Sequence, residues 1–173
     1  MSSPAEIARH LDALRRYARV LARDGADADD LVQGALVRAV ERLGQWRGDG
    51  DLRVWLMAIL HNHFLDQARA RAATAAREAA WAGMQPDAAP PRAEDALRLV
   101  QLRGAFLALP DDQREALHLV ALEGLSVAQA AAVLGVPAGT VMSRVGRARA
   151  ALRQWEDGAA RPALRVVGGR DGG

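Results

Sequence analysis

Cysteine is absent from the 173 residues. That excludes a disulfide scaffold, a thiolate nucleophile and any zinc site built on sulfur. Four scattered histidines do not replace it, so neither a metal nor a cofactor is expected. Lysine is absent too: all 23 basic residues are arginine, set against 21 acids. Arginine keeps its charge below about pH 12. The net charge of +2 therefore persists to high pH, and the pI near 10.2 overstates how basic the chain is. No apolar run approaches ~18 residues, so no transmembrane helix and no membrane insertion is expected. The N-terminus mixes acid and base where a signal peptide would place an apolar core. The expected compartment is the cytoplasm. Neither a nucleophile set nor a glycine-rich phosphate loop is visible, and an enzyme is not expected.

What is present is half hydrophobic and a quarter charged, the composition of a soluble globular chain of one or two small domains. Alanine, leucine and arginine are abundant and all favour helix. Strand alternation is hard to find, so the fold class is all-α. The charge is unevenly spread. Residues 1–70 hold ten arginines and ten acids, whereas residues 138–154 hold four arginines and no acid.

Ser3, Pro4 and Glu6 form a helix start. Ile7, Leu11, Leu14, Ala18 and Leu21 continue at helical spacing to Gly25. Asp27 is the expected cap of a second helix, with Asp29 and Asp30 in the first turn where the helix dipole favours acid. Leu31, Leu36, Val40 and Leu43 supply its inner face. A turn-forming stretch, Arg47 to Asp51, leads to a third helix carrying Leu52, Trp55, Leu56, Ile59, Leu60 and Phe64 and running to about Arg71. Trp55 lies on the apolar stripe and is expected in the core. Residues 72–93 turn alanine-rich and then proline-rich, a linker composition. Helices are expected from Glu94 to Leu107, from Pro110 to Gly124 with Leu117, Val120 and Ala121 inward, from Ser126 to Gly135, and from Ala138 to Trp155. The glycine-rich tail 158–173 is expected to be disordered.

Ser126 and Gln129 form a capping box. The helix that follows is rich in small residues, Ala128 and Ala130 to Ala132, and Gly135-Val136-Pro137 joins it to the last helix. A short helix, a tight turn and a longer helix make a helix-turn-helix, whose second helix enters the DNA major groove. At about 100° per residue, Val141, Val145, Ala148 and Leu152 share one inward stripe. Ser143 and Arg147 face away from it. Thr140 and Arg144 lie on one flank, Arg149 and Arg153 on the other. A flanking arginine reaches phosphate, and an outward arginine reads guanine bidentately.

Two blocks of motif carry a resemblance. Leu109 to Leu117, Gly124-Leu125-Ser126 and Gly135 to Val145 resemble region 4 of bacterial extracytoplasmic-function sigma factors. Asp27 to Gln33, Trp46 to Asp49, Trp55-Leu56 and His61-Asn62 to Asp66 resemble their region 2. Together the blocks cover roughly residues 5–155. The resemblance implies region 2 at 1–71, a flexible linker at 72–93 and region 4 at 94–157. It implies a subunit that binds core RNA polymerase, through the beta-prime clamp helices and the beta flap, and directs it to promoter DNA. Region 4 would read the −35 element in duplex with Thr140, Ser143, Arg144, Arg147 and Arg149. Region 2 would read and help open the −10 element with Trp46, Arg47, Gly48, Asp49, Asn62, Asp66 and Arg69. A base flipped from the duplex needs a pocket that stacks or hydrogen-bonds it, and the loop from Trp46 to Leu52 matches the one that captures it. Asp29, Asp30, Gln33, Val37, Arg38 and Glu41, on the helix from Asp27 to Leu43, would grip the clamp helices.

The resemblance also implies an anti-sigma factor that holds the free chain away from polymerase. The alternative is a sigma-like decoy that sequesters such a factor without binding DNA. Four residues depart from the family pattern: Met142 and Gly146 in the recognition helix, Gly34 in the polymerase-facing helix, and His61 where arginine is usual. Gly34 implies a kink or a close contact. His61 and His63 are expected at the surface or near DNA.

Overall fold

The computed structural model describes residues 4–22, 24–46, 48, 50–75 and 94–159. Among them every regular element is a helix. Helices α1 (Pro4–Ala8), α2 (Leu11–Ala22), α3 (Gly25–Arg42) and α4 (Leu52–Ala75) form the first half. Helices α5 (Glu94–Leu107), α6 (Asp111–Leu117), α7 (Val127–Leu134) and α8 (Ala138–Ala159) form the second. A single 3-10 turn, Leu43–Gln45, ends α3, and a π-helical turn, His118–Leu122, extends α6. Most of the expected linker (76–93) and of the expected disordered tail (160–173) lies outside the described residues.

Several boundaries differ from the sequence reading. The first helix is two: His10 and Arg9 close a tight turn onto Ile7 and Glu6 carbonyls. The apolar spacing runs on through that turn, so periodicity did not mark it. Gly25 opens α3 where the sequence suggested an end. The cap is Asp24, not Asp27; its carboxylate accepts from the amides of Ala26 at 2.8 Å and Asp27 at 3.2 Å. Val40 points outward, 54% exposed, while Ala39 is fully buried in its stead. Ala121 is exposed because the π-helical turn rotates the positions after Leu117. Helix α4 runs one turn past Arg71.

In the first half Leu14, Tyr17, Leu31, Leu56, Met57 and Leu60 make the centre; in the second Leu119, Val133, Val141 and Ala148 do. Each large aliphatic buried in this way contributes about 1.5–3 kcal/mol. The halves do not stand apart. Helix α4 packs on α7 and α2 packs on α6, so one hydrophobic cluster runs through both.

Arg114 ties them. Its side chain is 1% exposed, and its guanidinium donates to the Val20 carbonyl of α2 at 3.2 Å. It donates also to the carbonyls of Leu107 at 3.3 Å and Leu109 at 3.0 Å, and to Asp111 at 2.8 Å. A cation at the end of α2 satisfies a carbonyl the helix leaves unpaired and suits the negative end of its dipole.

Candidate nucleic-acid interface

The helix-turn-helix is built as its sequence implies. Ser126 Oγ accepts from the Gln129 amide at 3.1 Å, and Gln129 Oε1 accepts from the Ser126 amide at 2.9 Å. Such a cap contributes about 1 kcal/mol. Gly135 takes φ 65°, and the Val136 amide returns to Ala131 at 3.2 Å. Val141, Val145 and Ala148 are buried, with Leu152 partly buried. Their burial fixes the roll of α8 and turns Met142, Ser143, Gly146, Arg147 and Ala150 to solvent.

Arg147 lies back along the helix, donating to Ser143 Oγ at 2.8 Å and to the Ser143 carbonyl at 3.3 Å. Arg144 is turned off the outer face and pairs with Asp112 at 3.1 Å; Thr140 beside it is half-buried. Arg149 stands elsewhere. With Arg103 and Arg153 it rims an apolar groove of about 780 Å³ lined by Leu99, Leu102, Phe106, Leu117, Leu122 and Leu152. Nothing within 4 Å would meet a Cβ at Gly146, so packing does not require that glycine.

In the first half, Trp46 and Trp55 meet with ring centroids 6.3 Å apart, tilted by 42°. Trp55 is only partly buried, short of the expected core position. Beside it a cavity of about 370 Å³ opens between the loop and α7, lined by Trp46, Asp51, Val54, Trp55, Gln129 and Ala132. Gly48, at φ 75°, makes the turn; Arg47 and Asp49 lie outside the described residues. Asn62 is exposed. Asp66 is exposed too, but it is held by Arg38 at 2.8 Å and Arg69 at 3.6 Å. The Arg38 hydrogen bond keeps the Asp66 carboxyl below the ordinary range. Two residues assigned by resemblance to different surfaces, Arg38 and Asp66, are thus partners.

Asp29, Asp30, Gln33, Val37 and Glu41 are all exposed on α3. Asp30, Gln33, Val37 and Glu41 share one face at helical spacing, where Val37 and Val40 present large apolar side chains at 59% and 54% exposure. Gly34 makes the close contact anticipated for it: a Cβ there would collide with the His63 ring.

His61 corrects the expectation of a surface position. It is 4% exposed, because α6 closes over it. Tyr17 Oη and His61 Nδ1 share a hydrogen bond at 3.0 Å, and Glu115 of α6 lies 3.9 Å from the same nitrogen. The Tyr17 ring stacks on His61 and on His118 of the second half, with centroids 6.3 and 5.5 Å away. Burial lowers both histidines to about 4 and raises Glu115 to about 7. It also pushes the Tyr17 phenol well up.

Next to this stack sits Glu123, whose side chain is wholly buried. Arg16 grips both its oxygens, at 2.8 and 2.9 Å; Arg53 pairs with Oε2, and His118 Nε2 lies 3.3 Å from Oε1. Burial acts to raise the Glu123 carboxyl, but the hydrogen bonds from Arg16 and Arg53 prevail and hold it below its usual value. Sequence reasoning missed Arg16, Tyr17, Arg53, Arg114, His118 and Glu123. Each has a partner 44 to 107 residues away that no local spacing announces, although Arg114 also meets Asp111 and His118 also meets Glu123 nearby in sequence. Among the described residues no group of acids and histidines could hold a metal ion, and no helix is long and apolar enough to cross a membrane.

Comparison with known proteins separates the same two halves. Residues 7–61 match the family described as the Sigma2 domain of PhyR, and residues 99–152 match Sigma-70, region 4. The ECF RNA polymerase sigma factor SigM of Mycobacterium tuberculosis is 38% identical over 144 residues, covering 83% of this chain and 71% of SigM. EcfG of Rhodopseudomonas palustris, also named an ECF RNA polymerase sigma factor, is 37% identical over 140 residues, 81% of this chain and 77% of EcfG. The sigma factor RpoE of Bartonella quintana, solved in complex with the anti-sigma factor NepR, is 33% identical. It superposes with a TM-score of 0.77 over 88% of this chain and 95% of its own.

Proposed function

The chain belongs to the ECF RNA polymerase sigma factors, and from that premise we propose that it binds core RNA polymerase and reads −35 DNA with α8 and −10 DNA with its first half, region 2. The observation that carries this is the outer face of α8. It exposes Ser143 and Arg147 on a segment without acid, set at the roll a helix-turn-helix uses in the major groove. Thr140, Ser143 and Arg147 supply the −35 contacts, with Arg144 joining once it leaves Asp112, and Arg149 on the backbone side. The region 2 wall of the cavity, formed by Trp46, Asp51, Val54 and Trp55, receives a −10 base once α7 has moved away, and Asn62, Asp66 and Arg69 line the approach. The exposed face of α3, from Asp29 to Glu41, meets the clamp helices. The apolar groove with its arginine rim suits an amphipathic helix with acidic edges, and we assign it to the beta flap. Residues 1–71 and 94–157 act as regions 2 and 4, and the protein acts in the cytoplasm as a regulatory factor and not as an enzyme.

Size decides how the compact state relates to this work. The two elements stand about 25 base pairs apart by their names, roughly 85 Å at 3.4 Å per pair. A compact chain of this length is only about 40 Å across. One such body cannot touch both, so region 4 leaves region 2 when the chain engages a promoter. We infer that an anti-sigma partner holds the closed form, which superposes on RpoE as solved in complex with the anti-sigma factor NepR.

The test is run-off transcription on fragmented genomic DNA, with core polymerase alone and with the chain added. Discrete new starts sharing upstream −35 and −10 boxes are expected. A second reading, the sigma-like decoy, is favoured by one observation: residues 7–61 match the family described as the Sigma2 domain of PhyR. Binding to core without any new start shifts the weight to the decoy, which capture of an anti-sigma factor by the chain then tests.

A further inference from the structure

Glu123 is costly where it stands. A carboxylate stripped of water must be fully paired, and a buried ion pair is a poor way to gain stability when apolar residues would fill the same space. Its side chain has no exposure, whereas its partners keep theirs: Arg16 is 53% exposed and Arg53 27%. Arg53 Nε is buried and has no hydrogen-bond partner. The burden therefore falls on the acid, while the two arginines sit on region 2 as a ready-made fork. Arg16 projects from α2 and Arg53 from the first turn of α4, directly after the loop that ends at Asp51 and Leu52. They converge on two oxygens borne by one atom. A phosphodiester offers the same arrangement: two anionic oxygens on one centre, which guanidinium groups take in the plane of the fork.

We propose that Arg16 and Arg53 form a phosphodiester-binding pair on region 2, and that Glu123 of region 4 occupies that pair in the compact state. The chain thereby masks part of its own nucleic-acid surface. When region 4 leaves, the carboxylate goes with it, and the vacated fork takes a DNA phosphate beside the Trp46–Trp55 pair. This deepens the sigma-factor reading and rests on it only for placing that phosphate near the −10 element.

The test needs neither polymerase nor promoter. Binding of the full chain to a fluorescein-labelled single-stranded DNA of mixed sequence is followed by anisotropy across a salt series. Glu123→Gln keeps the shape of the side chain and removes the charge. It is expected to bind about tenfold more tightly at low salt. Its plot of log K against log salt should be steeper by about 0.7, since each phosphate neutralised on a single strand contributes about 0.7. Adding Arg16→Gln or Arg53→Gln to that variant should each remove most of that gain. Gln129→Glu leaves Glu123 and the capping box in place but sets a second carboxylate against Asp51, which Gln129 now contacts at 3.4 Å. It should shift affinity in the same direction with the same dependence on both arginines, and it decides the matter if Glu123→Gln does not fold. Unchanged binding in the loosened variants overturns the proposal. So does a gain that survives loss of both arginines, because α8 would then be its source. If the slopes fail while run-off gives promoter-specific starts, the masked pair is wrong and the sigma reading stands. If the slopes hold and run-off gives none, the converse is true.

Discussion

Along α8, Arg144 pairs with Asp112 but Arg147, Arg149 and Arg153 have no acidic partner among the described residues, whereas in region 2 Arg16, Arg38, Arg53, Arg69 and Arg71 are each held by a carboxylate. The two halves therefore meet nucleic acid on different terms. A bare arginine row offers its full charge to phosphate and loses only counterions and water on binding. A paired arginine must exchange one anion for another, so binding depends on whether the first anion can leave. Region 4 is built to bind whenever it is free, and region 2 to bind once something has been removed.

The comparison breaks most completely if the halves separate outright, and Arg114 is the residue that decides this. Arg114→Met removes a cation 1% exposed and leaves the Val20, Leu107 and Leu109 carbonyls without their donor. A loss of about 3–5 kcal/mol is expected, read as a drop in Tm of roughly 10 °C for a chain of this size. A melt unchanged within a degree or two would mean that α2 and α6 do not depend on one another.

Acidity sharpens the comparison next. His61 and His118 titrate near 4 in the folded chain against an ordinary 6.5, so the unfolded chain binds more protons between those values and stability rises with pH there. Glu115 does the opposite: its folded value near 7 lies above the ordinary 4.5, so stability falls with pH across that window. From pH 4.5 to 6.5 two groups act upward and one downward, and His63, also lowered by burial, adds to the rise. One net proton corresponds to roughly 1.4 kcal/mol per pH unit. The Tm should climb between pH 5 and 6.5 and dip slightly towards 7. Glu115→Gln should steepen the climb and abolish the dip. An identical profile in that variant would remove Glu115 from the account.

For the DNA-facing arginines, Arg147→Ala should weaken binding to the −35 duplex that run-off defines by about 1–3 kcal/mol. Arg144→Ala should cost less, because Arg144 must first leave Asp112; Asp112→Asn should strengthen binding. Equal losses for Arg144 and Arg147 would show that pairing does not tax an arginine here.

The smallest contrast is between glycines. Gly34→Ala drives a Cβ into the His63 ring and should cost about 1–3 kcal/mol by overpacking. Gly146→Ala meets open space and should raise stability by about 0.5–1 kcal/mol through helix propensity alone. Thermal melts of the two variants check both signs.

The all-α fold, the capping box at Ser126, the left-handed Gly135 and the inward stripe of α8 were legible because each is local. Residues within about eight positions determine them. The bend after Ala8 and the exposure of Val40 were not, since the apolar spacing is equally compatible with a straight helix and with Val40 inward. The joining of the halves was least legible. His61, Glu115, His118 and Glu123 read singly as surface polar groups, and only the closure of α6 over α2 turns them into a buried cluster. Of the surface residues, those of α8 fall on the faces their periodicity implied, whereas those of α3 were named by the resemblance alone. Arg149 went to the rim of a groove that no spacing reveals, because its far wall comes from α5.

Because α4 packs on α7 and Arg114 caps α2, described residues on either side of the connection 76–93 hold the halves together. The length of that connection then has little leverage on the closed form, since doubling a loop costs only about 0.6 kcal/mol. Its leverage is on return. Once region 4 has let go, the tether sets the local concentration at which it searches for region 2 again. Lengthening the tether prolongs each excursion and leaves the contacts between the described helices untouched, so the duration of an open period can be tuned by insertion or deletion alone.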